Sequence, residues 1–428
     1  MDFLTSFRSY FPTEAASLET AWALPPNHGL YFLAGEEAEK RFVSAHPELI
    51  PHAEVPHAYV YPDGLPLGKT LEHNLGAYYV MDPASMLPPY FLAPQKGERV
   101  LDFCAAPGGK TALLSSFLGE EGVLLSNDLS YPRSLETSRN VERLGLRNVA
   151  VTAGDFSQSY VHYRAYFDAI MLDAPCSGSA MFRKEPRMRE DWSYNKVLSL
   201  ASTQRELLEL AAKMLAYGGR ILYSTCSFSY EEDEGVVLSF LKEHPEFEAV
   251  SLPRFPSFYS HEDLPEGVHL FPHRHQGEGQ FFCLLRHKGE KSSRAFPCRS
   301  KGNKEVESAL REFGLEGYDV KLVNGVYHAL SKPLRIEGLS LLRYGVALGD
   351  FSPSHPYEHA LAIASRCPCL HLDAAKAHKY LHGDTFPLNE KDGYAVVSYS
   401  GLRLGFVKVV HGVAKNHYPK GLRRDYPL

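Results

Sequence analysis

The stretch LDFCAAPGGKT, Leu101 to Thr111, decides the fold: a short apolar run begins just before it at RVLDFC, passes into a glycine-rich turn and continues as a helix-forming segment. Gly108 and Gly109 let the backbone approach a ligand where a Cβ would clash. The helix that follows offers free N–H groups to polar or negative atoms. Further apolar runs succeed it: GVLLSND at Gly122–Asp128, RNVAVTAGD at Arg147–Asp155, FDAIMLDAP at Phe167–Pro175 and GGRILYSTCS at Gly218–Ser227. Helical patterns lie between them, at Tyr131–Leu144 and Val197–Ala216. Apolar runs alternating with helices predict βαβ units and a parallel sheet. FFCLLRH, Phe281–His287, supplies a late antiparallel strand at or near the edge, and the sheet is expected to end there.

Asp128 closes the second run about twenty residues after the glycines, where a carboxylate can accept both hydroxyls of a ribose. Neither a P-loop nor a full G-x-G-x-x-G is present. A cofactor without a pyrophosphate fits better, and S-adenosylmethionine leads. Asp155, after the third run, either takes the adenine amino group or caps a helix.

Asp173, Pro175 and Cys176 sit just past the fourth run and Cys226 just past the fifth. Ligands of open parallel sheets bind outside the carboxyl ends of the strands, so both thiols and Asp173 face the cofactor crevice. A lone cysteine usually reads as a small buried hydrophobe. Two with polar neighbours at adjacent strand ends have a chemical use. Carbon 5 of cytosine is a poor nucleophile until a thiolate adds to carbon 6. An acid at ring nitrogen 3, for which Asp173 is the candidate, would stabilise that adduct, and a second thiol can assist release.

The chain has 428 residues, 44% hydrophobic and 22% charged, values that fit several globular domains and exclude disorder. The net charge of −6 does not announce nucleic acid, yet Lys391–Leu428 holds seven Lys and Arg against two Asp. No apolar run nears the ~18 residues of a membrane span, and no secretory leader is evident. A soluble, cytoplasmic monomer is expected. Seven scattered cysteines make a disulfide framework unlikely to be encoded. Neither Cys367-Pro368-Cys369 nor the histidine-rich FPHRHQGEG has zinc spacing, so no metal is expected.

CAAPGGKT, LDAPCSGS, STCSFSYEEDE and PHRHQGEGQFF, in this order over Leu101–Phe282, resemble the RNA cytosine-5 methyltransferases of the Nop/Sun group. GKTLEHNLGAYYVMDPASMLPPYFL resembles the segment that precedes the cofactor loop in that family. The resemblance implies a Rossmann-like sheet and S-adenosylmethionine. It implies that Cys104, Ala105, Ala106, Pro107, Gly108, Gly109, Lys110, Asp128, Asp155 and Asp173 are cofactor positions. Cys226 of the Thr-Cys motif matches the nucleophile and Cys176 of the Pro-Cys motif the cysteine that assists release. GLRLGFVKVVHGVAKNHYPKGLRRDY, Gly401–Tyr426, resembles the end of the bacterial RsmF type, which modifies small-subunit ribosomal RNA; that end is a PUA-like RNA-binding barrel.

The expected architecture is therefore α/β. A small N-terminal α+β domain covers 1–75 and a Rossmann-like methyltransferase domain 76–287. A basic linker covers 288–304, a C-terminal α+β domain 305–365 and a PUA-like domain 366–428. The expected substrate is RNA, ribosomal RNA or the small subunit before transfer RNA; a non-catalytic assembly factor is the rival from another class. Arg183, Lys184, Arg187 and Arg189, with Phe182 and Trp192, are expected to meet RNA phosphates and to stack on an extruded base.

Overall fold

A computed structural model describes residues 2–290, 295–353 and 356–423. Nine strands form the central sheet. Its parallel part runs Val149–Ala153, Val123–Asp128, Arg99–Asp102, Phe167–Asp173, Leu215–Thr225. Each of these strands is a nearly continuous buried apolar run, as a sheet covered on both faces requires. Alternate residues separate into two cores. Leu101, Leu125, Ile170, Leu172, Ile221 and Tyr223 pack on one face. Val100, Leu124, Val149, Val151, Ala169, Met171 and Leu222 pack on the other.

The chain starts in the middle of the sheet at Arg99–Asp102, steps outward twice, then returns to pair Phe167–Asp173 on the other side. That reversal opens a crevice at the carboxyl ends of the strands. Both the glycine-rich turn and the Asp173–Cys176 segment leave the sheet there. Gln280–His287 pairs antiparallel with Leu215–Thr225 and is second from the edge, inside Phe247–Ala249.

The sheet does not end with FFCLLRH. Ser340–Tyr344, expected in a separate C-terminal unit, pairs antiparallel with Val149–Ala153 and covers what would otherwise be an open edge. Leu330, Leu334 and Tyr344 are buried in the same core as Leu125 and Ile170. The partner strands lie far apart in sequence, and a five-residue run carries no record of what it pairs with. A chain cut after His287 would leave this edge bare and remove side chains whose individual loss costs about 2–5 kcal/mol. We expect the cut chain to melt well below the intact one and to bind cofactor weakly. Thermal melts with cofactor titration check this, and an unchanged melting temperature would refute it.

The N-terminal sheet comprises Asn27–Phe32, Ile50–Pro51, Ala58–Pro62 and Tyr78–Met81, the last lying past residue 75. The helices Phe3–Tyr10 and Ala15–Trp22 instead press Phe3, Phe7 and Phe11 against Phe182, Trp192, Phe228 and Phe271. Toward the C-terminus, Asp319–Val323 and Val326–Leu330 form the hairpin that Asn324-Gly325 foretells, with φ of 50° and 82° at the two turn residues. Five strands then form a sheet in the order Leu370–His371, Gly393–Tyr399, Leu402–Val410, Val413–Asn416, Phe386–Pro387. Among the described residues no helix is long and apolar enough to cross a membrane.

Candidate active site

The glycine-rich loop lies against the helix Tyr131–Arg143. Gly108 has φ 103°, and a Cβ there would meet the Thr137 methyl at 3.1 Å. Ala105 N–H donates to the Asn127 carbonyl (2.9 Å), and the Asn140 amide donates to the Pro107 carbonyl (2.9 Å). Asp128 accepts from Ala106 N–H (3.2 Å) and Ser130 N–H (2.9 Å), one on each oxygen, and pairs with Arg133 at 3.4 Å. A carboxylate has about four acceptor sites, so the two N–H groups leave about two, one of them facing Arg133. Beside the loop, buried Asp102 Oδ1 and Thr137 Oγ1 have no partner among the described residues. Burial raises the Asp102 carboxyl to about 7, although Thr111 donates to its other oxygen at 2.7 Å. Burial likewise pushes the Cys104 thiol far up.

Lys110 opens the helix Gly109–Leu118 and donates to Asp173 Oδ2 at 2.7 Å. Burial alone would pull the ammonium down, but the charge and hydrogen bond of Asp173 leave it raised, hence charged. Asp173 Oδ1 accepts from Ser224 Oγ (2.6 Å) and Gln280 Nε2 (2.9 Å). Sequence reading passed over both donors. Gln280 ends the motif GEGQ, whose glycines are there for contact: a Cβ on Gly277 would sit 2.5 Å from Ala84 N, and one on Gly279 2.3 Å from the Phe228 ring.

Cys176 and Cys226 meet with their sulfurs 3.1 Å apart. The Cys176 thiol is pushed well above its ordinary range by its hydrogen bond to Cys226, then by burial, then by the nearby charges of Cys226, Glu232 and Asp173. The Cys176 thiol is thereby held toward its protonated form.

Asp155 is exposed and caps the short helix Phe156–Ser159, accepting from Ser157 N–H (2.8 Å) and Oγ (2.7 Å). The basic cluster is redistributed. Arg183 forms a two-pronged pair with buried Glu278 (2.8 and 2.9 Å), and Lys184 pairs with Asp82 at 3.3 Å. Phe182 and Trp192 are locked in the N-terminal aromatic cluster, 5.1 and 5.6 Å from the Phe3 ring, and cannot stack on a base. Arg187 and Arg189 remain exposed. The histidine-rich loop docks the N-terminal region: His273 and Arg274 bind Glu14, and His275 faces Glu54.

Behind Cys226, three consecutive carboxylates, Glu232, Asp233 and Glu234, are all fully buried. Burial and then the Glu234 charge raise the Asp233 carboxyl well above its ordinary 3.8. Asp233 Oδ1 accepts from Thr225 Oγ1 (2.5 Å), while its Oδ2 has no partner among the described residues. The folded group keeps its proton at pH values where the unfolded one has lost it. Stability is thus lost as pH rises from about 4 toward the folded value, by about 1.4 kcal/mol per unit. Asp233→Asn reproduces the protonated shape and should flatten this slope. Melting temperatures from pH 5 to 9 check it: parallel curves for wild type and variant would show that Asp233 does not titrate this way.

The doubly wound sheet, glycine turn and acid at the next strand end define a Rossmann-like methyltransferase. Residues 89–286 match the family described as 16S rRNA methyltransferase RsmB/F, and 367–424 match the methyltransferase RsmF PUA domain. The chain is 33% identical over 390 residues to ribosomal RNA small subunit methyltransferase F of Enterobacter sp. (strain 638), covering 85% of this chain and 81% of that one. The protein of the same name from Shewanella loihica is 31% identical over 398 residues, with the same coverage. A methyltransferase homolog protein from Pyrococcus horikoshii superposes with a TM-score of 0.58 at 25% identity, over 66% of this chain and 93% of its own. NSun6 from Pyrococcus horikoshii shares the fold, with a TM-score of 0.60 at 18% identity over 68% of this chain and 98% of its own. The chain belongs to the ribosomal RNA small subunit methyltransferase F family.

Proposed function

We propose that the protein transfers a methyl group from S-adenosylmethionine to carbon 5 of a cytosine in small-subunit ribosomal RNA, through a covalent adduct on Cys226. The observation that carries this reading is the pair of thiols 3.1 Å apart at adjacent strand ends, on the same crevice rim as Asp173 and the glycine loop. The Cys104–Lys110 backbone and Asp173 line the cofactor cradle. Asp128 takes the ribose hydroxyls, and Asp155, on the same rim, takes the adenine amino group. The bound cofactor supplies an electrophilic methyl on a sulfonium sulfur.

Cys226 Sγ adds to ring carbon 6, and the displaced electron pair of the C5–C6 double bond enriches carbon 5. Ring nitrogen 3 takes up the thiol proton as the adduct forms, and the Asp173 carboxylate, held on three sides, would accept a hydrogen bond from it and stabilise the adduct. Carbon 5 takes the methyl. Loss of the carbon 5 proton, to a water that Cys176 positions, then restores the double bond and expels Cys226 as thiolate. The exposed Arg187, Arg189, Lys415 and Lys420 are available for RNA phosphates. Arg403 is instead bound to the Cys367 carbonyl (2.6 Å) and Ser365 (3.1 Å), and Arg424 lies outside the described residues.

Bisulfite sequencing of ribosomal RNA from a deletion strain tests the reading. A small-subunit cytosine that loses its 5-methyl mark, and regains it with the purified enzyme, supports it; unchanged ribosomal RNA with a lost mark in transfer RNA overturns the substrate. A second test concerns the cradle. Hydrogen bonds to a charged acceptor are worth roughly 1.5–3 kcal/mol, so Asp128→Ala should weaken S-adenosylmethionine binding about 10- to 150-fold. Calorimetry showing equal affinity would remove Asp128 from the site.

A further inference from the structure

The two thiols belong to different loops, and something must hold those loops at a fixed separation. Glu232 reaches both. Its Oε1 accepts from Ser177 N–H at 2.8 Å, and its Oε2 from Ser177 Oγ at 2.5 Å. The same Oε2 accepts from Ser227 Oγ at 2.7 Å, and the two serine oxygens are 3.1 Å apart. Ser177 is the residue after Cys176, and Ser227 the residue after Cys226. Gln204, on the helix Tyr194–Met214, adds a strut. Its Nε2 donates to Glu232 Oε1 at 3.0 Å and to the Pro175 carbonyl, just before Cys176, at 2.9 Å. Ser177, Gln204, Ser227 and Glu232 are each 0% exposed.

We propose that Glu232 is a positioning residue for methyl transfer: its carboxylate ties the Cys176 loop to the Cys226 loop and sets the distance between the thiols. This rests on the reading that both cysteines act on one base. The need is geometric. Cys226 must reach carbon 6 while Cys176 stays within reach of the same ring, and a displacement of about 1 Å can cost 100-fold in rate. Glu232 lies six residues beyond Cys226 and reaches across to the Cys176 loop, so its side chain spans the gap between the two. Glu232 has no path to the substrate, since it is wholly enclosed. Burial pushes its carboxyl up while the four donors pull it down. Those donors leave it no role as a proton acceptor from the base, so the hydrogen bonds are its use. They are also why a residue that looks like part of a solvated acidic run is buried at all: a buried carboxylate is tolerated when its lone pairs are satisfied.

The test uses the full-length enzyme and two readouts. The first is kcat and KM on ribosomal RNA. The second is the rate at which diamide joins Cys176 and Cys226, taking two electrons and two protons as the S–S bond forms. That rate reports thiol approach without methyl transfer, because a disulfide needs a narrow range of separations and angles. Glu232→Ala is expected to lower kcat by about 100-fold, with KM and S-adenosylmethionine affinity little changed. The disulfide should form about tenfold more slowly. Should Glu232→Ala fail to fold, Glu232→Gln keeps the side-chain volume and one acceptor oxygen while removing the charge, and is expected to move both readouts in the same direction by less. A folded variant that joins its cysteines at the wild-type rate overturns the clamp. Slower joining with an undiminished kcat shows that thiol spacing does not govern turnover, and overturns the positioning role. Cys226→Ala, measured in parallel, keeps the two readings distinct: if it still methylates, the catalytic reading of the thiols fails by itself, whatever the disulfide rate shows.

Discussion

Cys226→Ala is expected to lower methyl transfer by about four powers of ten or more, while S-adenosylmethionine affinity stays close to wild type. The size follows from what the thiol does. Without addition at carbon 6, carbon 5 of cytosine remains a poor nucleophile, and positioning the cofactor cannot compensate. The selectivity follows from the fold. Cys226 lies just beyond the end of Leu215–Thr225, whereas the glycine loop and Asp128 leave Arg99–Asp102 and Val123–Asp128, on the other side of Phe167–Asp173. Removing one partly exposed sulfur leaves the hydrogen bonds of Asp128 and Lys110 in place. Single-turnover assays with labelled methyl donor, paired with calorimetry, read both quantities. Residual transfer above about a tenth of wild type would make Cys226 a bystander. A parallel collapse of cofactor affinity would mean the substitution had disturbed the crevice instead.

The parallel sheet was legible because its strands are buried on both faces, so each is an unbroken apolar run such as VLL or AIML bounded by turn residues. The site was legible at the points where those runs end, since function in this fold gathers at strand carboxyl ends. Asp173, Cys176 and Cys226 were placed on one crevice in that way, and the two thiols do meet there. Asp155 was left between two roles; its carboxylate caps a helix, which leaves lone pairs for the adenine amino group proposed above.

What could not be read is contact between distant segments. Ser340–Tyr344 completes the catalytic sheet from nearly two hundred residues beyond its partner. Phe182 and Trp192 carry the composition of a stacking platform, yet helices at the start of the chain cover them. Arg183 and Lys184 look like phosphate ligands until Glu278 and Asp82 are seen to hold them. Gln280, Ser224 and Glu232 are buried polar groups whose value lies wholly in their partners. The EEDE run, Glu231–Glu234, has the look of a solvated face, but three of its four members are enclosed. The one local hint was GEGQ, where two glycines flank a carboxylate, a pattern that suits close backbone approach more than an open loop.

Cys176→Ala should fail at the opposite end of the reaction, and accumulate enzyme covalently bound to RNA. In the resting enzyme the Cys176 thiol is held protonated first by its hydrogen bond to Cys226 and, after burial, by the charge of that sulfur. Once Cys226 is bonded to carbon 6 it is a neutral thioether, and both of those influences end. Burial and the charges of Glu232 and Asp173 still hold the proton on Cys176, so the expected acceptor of the carbon 5 proton is a water that Cys176 positions. Cys176→Ala retains the nucleophile and so still adds to the ring and accepts the methyl, but elimination stalls. A denaturing gel of the variant with labelled ribosomal RNA and S-adenosylmethionine should show a slow band that survives heating and disappears on nuclease digestion. Cys176→Ala combined with Cys226→Ala should show no such band, because the bond to RNA is made by Cys226. If Cys226→Ala alone traps RNA, the roles of the two cysteines are exchanged; if Cys176→Ala turns over normally with no adduct, release needs no second thiol.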